Sequence, residues 1–523
     1  MEYDAVVVGA GHNGLAAAVH LAAKGWSVAV AERNAVPGGA VKTQELTLPG
    51  FRHDLYAMNL SMFAGSGFFA AHKDKLLANG LGFAPAEHCF ATAFPDGTWL
   101  GVSKDLEATA GRIAKLSEKD AAAWRAMLGE FGSAAPHIFA LLGSPMPSWQ
   151  TVRAVWSAWR AKGTAWLLDT ARMLISSPRS FLDGQFENEK LKIMAAAWGL
   201  HLDFGPDVAG GALFPYVESM ANQAFGMVIG AGGADTIVKS MVKALEAAGG
   251  TVLTNAEVAR VKTAEGKAVG VELADGRSIT ARKAVIANIH PRILFDKLLP
   301  GMEGQSKDAR RIAALRPGPG TMMVHLALDS LPDWTAGAEL KSFAYVHLAP
   351  SLAAMGRAYA EAIEGLLPTE PVLVVGQPTA IDPSRAPDGK HILWIQVRVL
   401  PATIKGDAAG ILTARDWDAA KERYADRVLD IIERYAPGLR QKILGRAILS
   451  PLDLERDNPC LVGGDSLSGS HHLDQYFLFR PARGWSRYRT PVEGLYMIGA
   501  STWPGAGTGA GSGFMLGKML AGA

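Results

Sequence analysis

The hydrophobic pattern at the start of the chain predicts a strand, a helix and a second strand in quick succession. Residues 5–8 form an unbroken apolar run, which is typical of a strand buried in a parallel sheet. The Ala-rich stretch 15–23 suits a helix, and residues 27–31 supply the second apolar strand. This βαβ order indicates that the chain opens with a nucleotide-binding fold.

Two later blocks have the same character. The first begins with a helix and continues as a series of strands, with a hairpin turn at Asp275-Gly276. Its predicted elements are a helix over 237–248 and strands over 251–254, 258–262, 268–273, 278–281 and 284–287. The second block is a strand over 494–498, a glycine-rich turn and a helix over 514–520. We therefore predict an α/β, Rossmann-type domain built from separated segments, namely residues 1–65, 220–300 and 485–523.

The rest of the chain predicts a second, α+β domain that holds a substrate. Residues 66–219 are rich in helical patterns, and residues 301–484 mix strands with helices. The clearest predicted elements are strands over 372–376 and 391–399 and a helix over 416–435.

Residues 149–175 of this second domain combine tryptophans with basic residues in a helical pattern. These residues are Trp149, Trp156, Trp159 and Trp166, among Arg153, Arg160, Lys162 and Arg172. Such a helix suits a membrane surface, where it would admit a lipid-like substrate. The alternative is a core helix whose basic side chains extend to solvent, and we favour this second interpretation.

Composition excludes several classes of protein. The 52 Lys and Arg residues against 50 Asp and Glu leave a formal charge of +2. The protein therefore has no large positive potential that would attract the phosphates of nucleic acid. Cys89 and Cys460 are the only cysteines, so a disulfide framework, a thiol-redox centre and a zinc site are not expected. Since apolar runs long enough to span a bilayer are also missing, we predict a cytoplasmic protein and leave peripheral membrane contact and oligomeric state open.

A glycine motif follows the first predicted strand and indicates a dinucleotide site. Its residues are Gly9, Gly11, His12, Asn13 and Gly14. The glycines permit a tight turn and a close approach of the backbone to a pyrophosphate at the helix N-terminus. Glu32 ends the second strand 18 residues after Gly14, where a carboxylate accepts hydrogen bonds from both ribose hydroxyls and disfavours NADP.

Two further glycine clusters favour FAD over NAD. Gly38 and Gly39 follow the acidic residue closely and bring backbone amides towards the pyrophosphate. Near the C-terminus, alternating glycines precede a helix whose N-terminus would stabilise negative charge on the isoalloxazine ring. These glycines are Gly505, Gly507, Gly509, Gly511 and Gly513.

The sequence resembles the phytoene-desaturase-like flavoproteins, in the branch of pyridine nucleotide-disulphide oxidoreductase domain-containing protein 2. The segments that carry the resemblance are VVVGAGHNGLAAAVHLAAKGWSVAVAER, GGAVKTQELTLPGFRHD, GAGGADTIVKSMVKALEAAGGTVLTNAEVARV and LDQYFLFRPARGWSRYRTPVEGLYMIGASTWPGAGTG. They span the beginning, middle and end of the chain. The resemblance implies an FAD domain of the two-dinucleotide-binding-fold type, built from separated segments, with a substrate domain over the flavin.

The same resemblance implies further cofactor contacts. They are Arg33 beside Glu32, Val258 at the adenine end, Gly499 and Ala500 at the pyrophosphate and ribityl chain, and Thr508 in the last glycine cluster. Two positions depart from the usual patterns. Ala500 replaces a frequent aspartate, and Ala40 follows the glycine pair where amine-oxidase relatives carry arginine, so an amine substrate gains no support.

The implied reaction is dehydrogenation or isomerisation at a CH–CH bond of an apolar or alicyclic substrate, with or without a carbonyl group. It requires hydride transfer to flavin N5 and removal of a proton from the neighbouring carbon. Candidate residues near the flavin are His53, Tyr56, His472, Tyr476 and Trp503, although a structural role is at least as frequent for each histidine. The pair His471-His472 is not expected to bind a metal, because adjacent strand residues point to opposite faces.

Several alternatives remain at this point. Residues 230–235 lack the third glycine of a nicotinamide-binding unit, so we expect oxygen, a quinone or another diffusible molecule to accept the electrons. Amine oxidation is the second enzymatic interpretation. A protein of the GDP-dissociation-inhibitor type, which binds lipidated partners without flavin, is the non-catalytic alternative.

Overall fold

A computed structural model describes residues 1–299 and 307–522. The strands are β1 (Glu2–Val8), β2 (Val28–Ala31), β3 (Thr43–Gln44), β4 (His53–Asp54), β5 (Phe83–Ala86), β6 (His88–Ala93), β7 (Trp99–Ser103), β8 (Met227–Gly230), β9 (Thr251–Leu253), β10 (Val258–Ala264), β11 (Lys267–Leu273), β12 (Ser278–Ala287), β13 (Gly320–Leu328), β14 (Tyr345–Leu348), β15 (Leu366–Leu367), β16 (Val372–Gly376), β17 (His391–Leu400), β18 (Gly406–Asp407), β19 (Ile443–Leu449) and β20 (Leu495–Met497). The α-helices are α1 (His12–Ala23), α2 (Ser61–Ala64), α3 (Gly67–Ala78), α4 (Leu106–Ala114), α5 (Glu118–Leu142), α6 (Trp149–Ile175), α7 (Pro178–Gln185), α8 (Glu189–Leu200), α9 (Leu213–Phe225), α10 (Thr236–Ala247), α11 (Pro291–Ile293), α12 (Lys307–Ala313), α13 (Leu352–Ile363), α14 (Trp417–Glu433), α15 (Pro451–Asp457) and α16 (Gly511–Ala521).

The first large sheet collects strands from three distant parts of the chain. Its order is β10-β11-β12-β1-β2-β9, and β20 pairs with β12. The central strands β12, β1, β2 and β9 run parallel, and both faces of β1 are buried. Helices α1, α10 and α16 lie together on one face. This arrangement is the predicted α/β, Rossmann-type fold built from separated segments.

One element of this sheet was predicted wrongly. The chain was expected to form separate strands over 278–281 and 284–287, but β12 is continuous. Arg282 and Lys283 interrupt the apolar pattern, yet both cations pair with Asp4 on the neighbouring strand. Because Asp4 neutralises these charges, the strand passes through them without a break.

The second large sheet has the order β19-β13-β17-β16-β14-β6-β7. Alternate residues of these strands lie on opposite faces. One face packs against α14. Val324 and Ile395 on this face lie in the same hydrophobic core as Leu429 of that helix. The other face carries Trp394 and Tyr345, which pack in a different core with helices α8 and α9.

The domain boundaries remain predictions. The predicted division between residues 300 and 301 lies outside the described residues. The predicted elements of the second domain are present as β16, which has the predicted ends, and as β17 and α14, with ends that differ by one or two residues.

Helix α6 is not a core helix, and the favoured interpretation of residues 149–175 is therefore wrong. Its tryptophans Trp149, Trp156 and Trp159 are 79%, 57% and 46% exposed. Gly163 has φ +81° and bends the helix. The fourth tryptophan, Trp166, is half-buried and packs against the core. In the described ranges, α6 and every other helix are too short or too polar to cross a membrane.

Candidate active site

The turn between β1 and α1 has the geometry that a dinucleotide requires. Gly9 has φ +93°, a value that favours glycine. A Cβ on Gly14 would lie 2.4 Å from the carbonyl oxygen of Gly9, so this helix–turn contact requires a residue without a side chain. Helix α1 begins after Gly11 without a side-chain cap, which leaves its first amides free for a phosphate.

Glu32 fixes this turn from the end of β2. One carboxylate oxygen accepts from the amide of Ala10 at 2.8 Å, and the other accepts from the amide of Asn34 at 2.9 Å. Arg33 beside it is exposed. The carbonyl of Glu32 accepts from the amide of Ala256, which brings the segment leading to Val258 alongside the predicted adenosine end.

The glycine pair lies against the same turn. The amide of Gly38 donates to the carbonyl of Ala10 at 3.0 Å. Gly38 and Gly39 have φ +140° and +59°, and a Cβ on Gly39 would lie 3.2 Å from the Cα of Gly11. The two glycine segments therefore form one backbone surface.

The C-terminal glycine block closes the site from the other side. The amide of Gly499 donates to the Ser512 hydroxyl at 3.0 Å, and that hydroxyl lies 2.9 Å from the amide oxygen of Asn13. The His12 ring nitrogen lies 3.0 Å from the carbonyl of Gly507, and burial lowers the pKa of His12 to about 4. Neutral His12 thus connects the first and last glycine motifs.

The remaining predicted contacts of this block also lie near the cofactor turn. The hydroxyl of Thr508 donates to the carbonyl of Asn59 at 3.4 Å, and Gly509 lies against Met62. The carbonyl of Ala500 accepts two hydrogen bonds from the buried Arg480, at 2.7 and 3.0 Å.

Asn288 is a residue of this site that the sequence analysis missed. It follows β12 directly, and its side-chain amide donates to the carbonyl of Gly9 at 3.2 Å. A Cβ on Gly499 would lie 3.0 Å from its side-chain oxygen. A polar residue directly after a buried parallel strand was the available signal, because ligands bind at the carboxyl ends of such strands.

These segments together fit a dinucleotide. Free amides at a helix N-terminus face the turn, and side chains at Gly14 and Gly39 would clash with the backbone of Gly9 and crowd that of Gly11, so the close approach of these segments requires glycine. The contacts join residues near the beginning, middle and end of the chain.

The other glycine motif, residues 230–235, is unsuited to a second dinucleotide. It follows strand β8, but β8 pairs antiparallel with β5 outside the large sheet. Asp54 accepts from the amide of Ala234 at 2.7 Å, and Thr43 accepts from that of Asp235. Because these amides already donate to side chains, they are not available to bind a phosphate.

Tyr476 and Trp503 lie together beside the C-terminal turn. Their ring centroids are 5.5 Å apart, and the Tyr476 hydroxyl donates to the carbonyl of Pro504 at 2.8 Å. The indole of Trp503 is fully buried and donates to the carbonyl of Ser144. Trp503 therefore supports the turn, whereas the ring of Tyr476 also reaches towards Phe214, 6.4 Å away.

Tyr56 belongs to a charged group next to the glycine pair. Its hydroxyl donates to Asp457 at 2.6 Å, and Lys42 forms a salt bridge with the same carboxylate at 2.9 Å. Burial raises the pKa of Tyr56 far above its usual value. Tyr56 therefore stays protonated and acts here as a hydrogen-bond donor.

The two predicted histidines occupy different environments. His53 is fully buried between Thr47 and His325, and burial lowers its pKa to about 2, so it is a poor base. His472 is 28% exposed, and its Nε2 lies 2.9 Å from the carbonyl of Asp203. The Tyr359 hydroxyl lies 3.2 Å from that nitrogen, which makes His472 part of a hydrogen-bonded group.

Glu218 is an ionisable residue that no sequence motif singled out. It lies on α9, and burial raises the pKa of its carboxyl to about 7. Across the described ranges, no salt bridge involves this carboxyl. Burial and the charge of Glu218 both raise the pKa of Tyr345, whose hydroxyl lies near the backbone of Asn59. The carbonyl of Asn59 also accepts from Thr508 of the C-terminal glycine block. A carboxyl with this pKa suits a general base near neutral pH.

Comparisons with known proteins agree with this geometry. A family model described as "Flavin containing amine oxidoreductase" matches residues 14–512. The chain is 32% identical over 549 residues to pyridine nucleotide-disulfide oxidoreductase domain-containing protein 2 of Rattus norvegicus, covering 97% of this chain and 91% of that protein.

Two bacterial relatives also match along almost the whole chain. A phytoene desaturase (neurosporene-forming) of Rhodobacter capsulatus is 26% identical over 532 residues, covering 99% of this chain and 93% of the relative. A limonene dehydrogenase subunit of Castellaniella defragrans is 27% identical over 540 residues, covering 99% and 94%. An oxidoreductase of known structure from Methanosarcina mazei superposes with a TM-score of 0.62 at 20% identity, covering 99% of each chain.

Proposed function

Because this chain belongs to the flavin-containing amine oxidoreductase family, we propose that it is an FAD-dependent dehydrogenase or desaturase of a CH–CH bond in an apolar or alicyclic substrate. Membership confirms the predicted cofactor, FAD, and supports an enzyme over the non-catalytic alternative. The observation that carries the choice of reaction is whole-chain similarity to phytoene desaturases and to a limonene dehydrogenase subunit.

The residues that would hold FAD are those of the glycine segments. The amides after Gly11 would bind the pyrophosphate, Glu32 would bind the ribose, and the turn around Ala500 would contact the ribityl chain. Asn288 and Arg480 position the turns that make these contacts. Bound FAD supplies the acceptor for the substrate hydride.

Glu218 is the proton acceptor in this proposal. Removal of two hydrogens from neighbouring carbons releases one hydride and one proton, and the proton requires a base. Glu218 combines a pKa of about 7 with a position on α9 one turn after Phe214, whose ring centroid lies 6.4 Å from that of Tyr476. Of the predicted candidates, His53 has a pKa too low for this role, and Tyr56 has one too high.

Amine oxidation remains the second candidate, since the family is named for it. The charge of the buried sheet face argues against an amine. Arg398 lies there as a cation, and no salt bridge to it occurs within residues 1–299 and 307–522. A protonated amine would be repelled by this guanidinium, whereas a neutral hydrocarbon would not.

We propose that oxygen, a quinone or another diffusible molecule accepts the electrons. The amides of residues 232, 234 and 235 donate to Asp382, Asp54 and Thr43, and that of residue 233 donates to a backbone carbonyl, so a nicotinamide nucleotide has no second phosphate site there. Stopped-flow mixing of the photoreduced protein with NAD or NADP should give slow oxidation, and a rapid reaction would refute this proposal.

We also propose a cytoplasmic enzyme that touches the membrane surface through α6. The exposed tryptophans recur at helical spacing, and Arg160 lies 5.3 Å from the Trp156 ring. Exposed Leu478 and Phe479 line a surface depression with Pro147, two residues before the helix. Arg483 and Arg487 also line this depression, and Phe477, next to its apolar side, packs on Tyr476 with ring centroids 4.7 Å apart.

The function is tested by anaerobic titration of the purified holoprotein. The visible absorbance is recorded with a cyclic terpene, a linear polyene precursor and a set of primary amines. Bleaching by a hydrocarbon with formation of a new double bond supports the proposal. Bleaching by amines alone would establish the second candidate, and a protein that neither contains nor binds FAD would refute both.

A further inference from the structure

A cluster of buried polar side chains lies on the inner face of the second sheet. Trp198 and His201 come from the end of α8, His347 from β14 and Arg398 from β17. The ring of Trp198 is 4.6 Å from that of His201 and 5.3 Å from that of His347. Trp394 of β17 stacks on Tyr345, which joins it to this group.

Hydrogen-bond donors in this cluster have no acceptor. The indole nitrogens of Trp198 and Trp394 and the Nε of Arg398 are buried and make no hydrogen bond in the described part of the chain. The guanidinium of Arg398 donates to Nδ1 of His201 at 3.1 Å, so the hydrogen of this imidazole lies on Nε2. That nitrogen is also buried without a partner. Since buried polar groups are nearly always satisfied, several donors without acceptors indicate a missing acceptor.

The charge of Arg398 is only partly compensated, because burial lowers its pKa and the buried carboxylate of Asp465 raises it only from a distance, without forming a salt bridge. Its other contacts are neutral, namely the carbonyl of His201 at 3.3 Å and the hydroxyl of Ser466 at 3.4 Å. No carboxylate pairs with it among residues 1–299 and 307–522. Removing a cation from water without a counter-charge is costly, which favours an anion at this place.

The cluster is partly exposed and adjoins the flavin site. Arg398, His201 and Ser466 are each only half-buried, although the unpartnered nitrogens themselves are buried. Ser466 lies in the loop whose carbonyls at Leu467 and Gly469 bind Arg480. Arg480 also binds the carbonyl of Ala500, so one buried side chain connects this loop with the FAD turn.

We propose that Arg398 binds the carboxylate of an otherwise apolar substrate, beside the unpartnered indole and imidazole N–H groups of Trp198 and His201. This inference deepens the proposed function and rests on it, since it adds an acidic group to the substrate class. A guanidinium matches a carboxylate with two parallel hydrogen bonds. One cation among neutral aromatic donors suits a single negative charge, whereas a phosphate dianion would require additional cations or an amide nest.

The test compares charged and neutral ligands of one shape. Binding of cyclohexanecarboxylate and decanoate to the holoprotein is measured by calorimetry, with cyclohexanecarboxamide and decanamide as matched controls. The variants are Arg398→Met, which keeps the length of the side chain, and Arg398→Lys, which keeps its charge. Arg446→Met, which removes a cation from exposed contacts to Asp426 and Glu422, is the control variant.

The proposal predicts that at least one carboxylate binds more tightly than its amide. Arg398→Met should weaken carboxylate binding by about 10- to 100-fold and leave amide binding unchanged, while Arg446→Met has no effect. Equal binding of acid and amide, or equal carboxylate affinity in wild type and both Arg398 variants, would refute it. FAD content and bleaching by hydrocarbons are measured in the same samples, so failure of the carboxylate site is distinguishable from failure of the proposed function.

Discussion

At the scale of single residues, Glu218 gives the reaction a pH dependence. Burial raises its pKa to about 7, and a base acts only after it has lost its proton. The rate of substrate-dependent reduction should therefore rise as the pH increases through about 7. Glu218→Gln should lower this rate by about 10² to 10⁴-fold and remove the pH-dependent limb, as measured by anaerobic stopped flow.

Two observations separate a catalytic Glu218 from a structural one. The Glu218→Gln variant should retain FAD and its melting temperature, because an amide of the same shape avoids a buried charge. Glu246→Gln, at an exposed position of α10, serves as the control and should keep the wild-type profile. A Glu218→Gln enzyme with a normal rate and an unchanged pH limb would exclude Glu218 as the base.

Gly14 offers a second test at the same scale. Gly14→Ala would place a Cβ 2.4 Å from the carbonyl oxygen of Gly9 and 2.8 Å from the Asn288 amide nitrogen, both of which shape the pyrophosphate turn. We expect this variant to lose FAD during purification, with a Kd at least about tenfold higher on reconstitution. Gly129→Ala is the matched control, since a Cβ there meets nothing within 4 Å, and its flavin absorbance should stay normal.

At the scale of elements, local pattern predicted most of the cofactor fold. The order of β1, α1 and β2 follows from short apolar runs and glycines that lie close together in the sequence. Helix α16 begins at Gly511, three residues before the predicted start, because no side chain signals that end. Strand β12 was split in the prediction because the carboxylate of Asp4, far away in sequence, compensates its two basic residues.

The candidate site was predictable to the same extent. Its glycines and Glu32 were predicted because they stand at the spacing that is typical of a dinucleotide-binding motif. Glu218 and Arg398 lie on elements joined only by tertiary packing, and their significance comes from the lack of a salt bridge among the described residues, which spacing does not reveal. His53 was a candidate because it lies close in sequence to the glycine pair. The structure encloses it between Thr47 and His325, so closeness in sequence did not indicate a catalytic role.

Helix α6 carries the prediction that belongs to this scale. Trp156→Glu removes an exposed aromatic ring and adds a negative charge beside Arg160, so both apolar insertion and attraction to anionic lipid should weaken. Co-sedimentation with phosphatidylserine-containing vesicles should fall about tenfold, and binding of the wild type should decrease with salt. Ile411→Glu, at a 65% exposed residue of another segment, is the control. Equal sedimentation of all three proteins would contradict a membrane role for α6.

At the scale of the whole molecule, the cofactor site unites segments that lie far apart in the chain. Gly9, Gly39, Asn288 and Gly499 meet within a few ångströms, so the bound group would contact three separate parts of the polypeptide. Arg480 extends this connection to the loop that reaches the second sheet. Occupancy of the site should therefore stabilise both sheets rather than one.

Thermal unfolding with and without FAD tests this coupling. At a concentration of FAD about 100 times its Kd, ligand linkage adds about 2.7 kcal/mol, which for a chain of 523 residues corresponds to a rise in Tm of about 2 to 4 °C. We expect near-UV and far-UV signals to shift together, because unfolding of either sheet disrupts the segments that meet at Gly499. The Gly14→Ala protein should show about half of this rise or less at the same FAD concentration, because a Kd about tenfold higher reduces the linkage term to about 1.4 kcal/mol. A rise confined to one of two separate transitions would show that the second sheet unfolds independently of the cofactor, and the link through Arg480 would then be too weak to couple them.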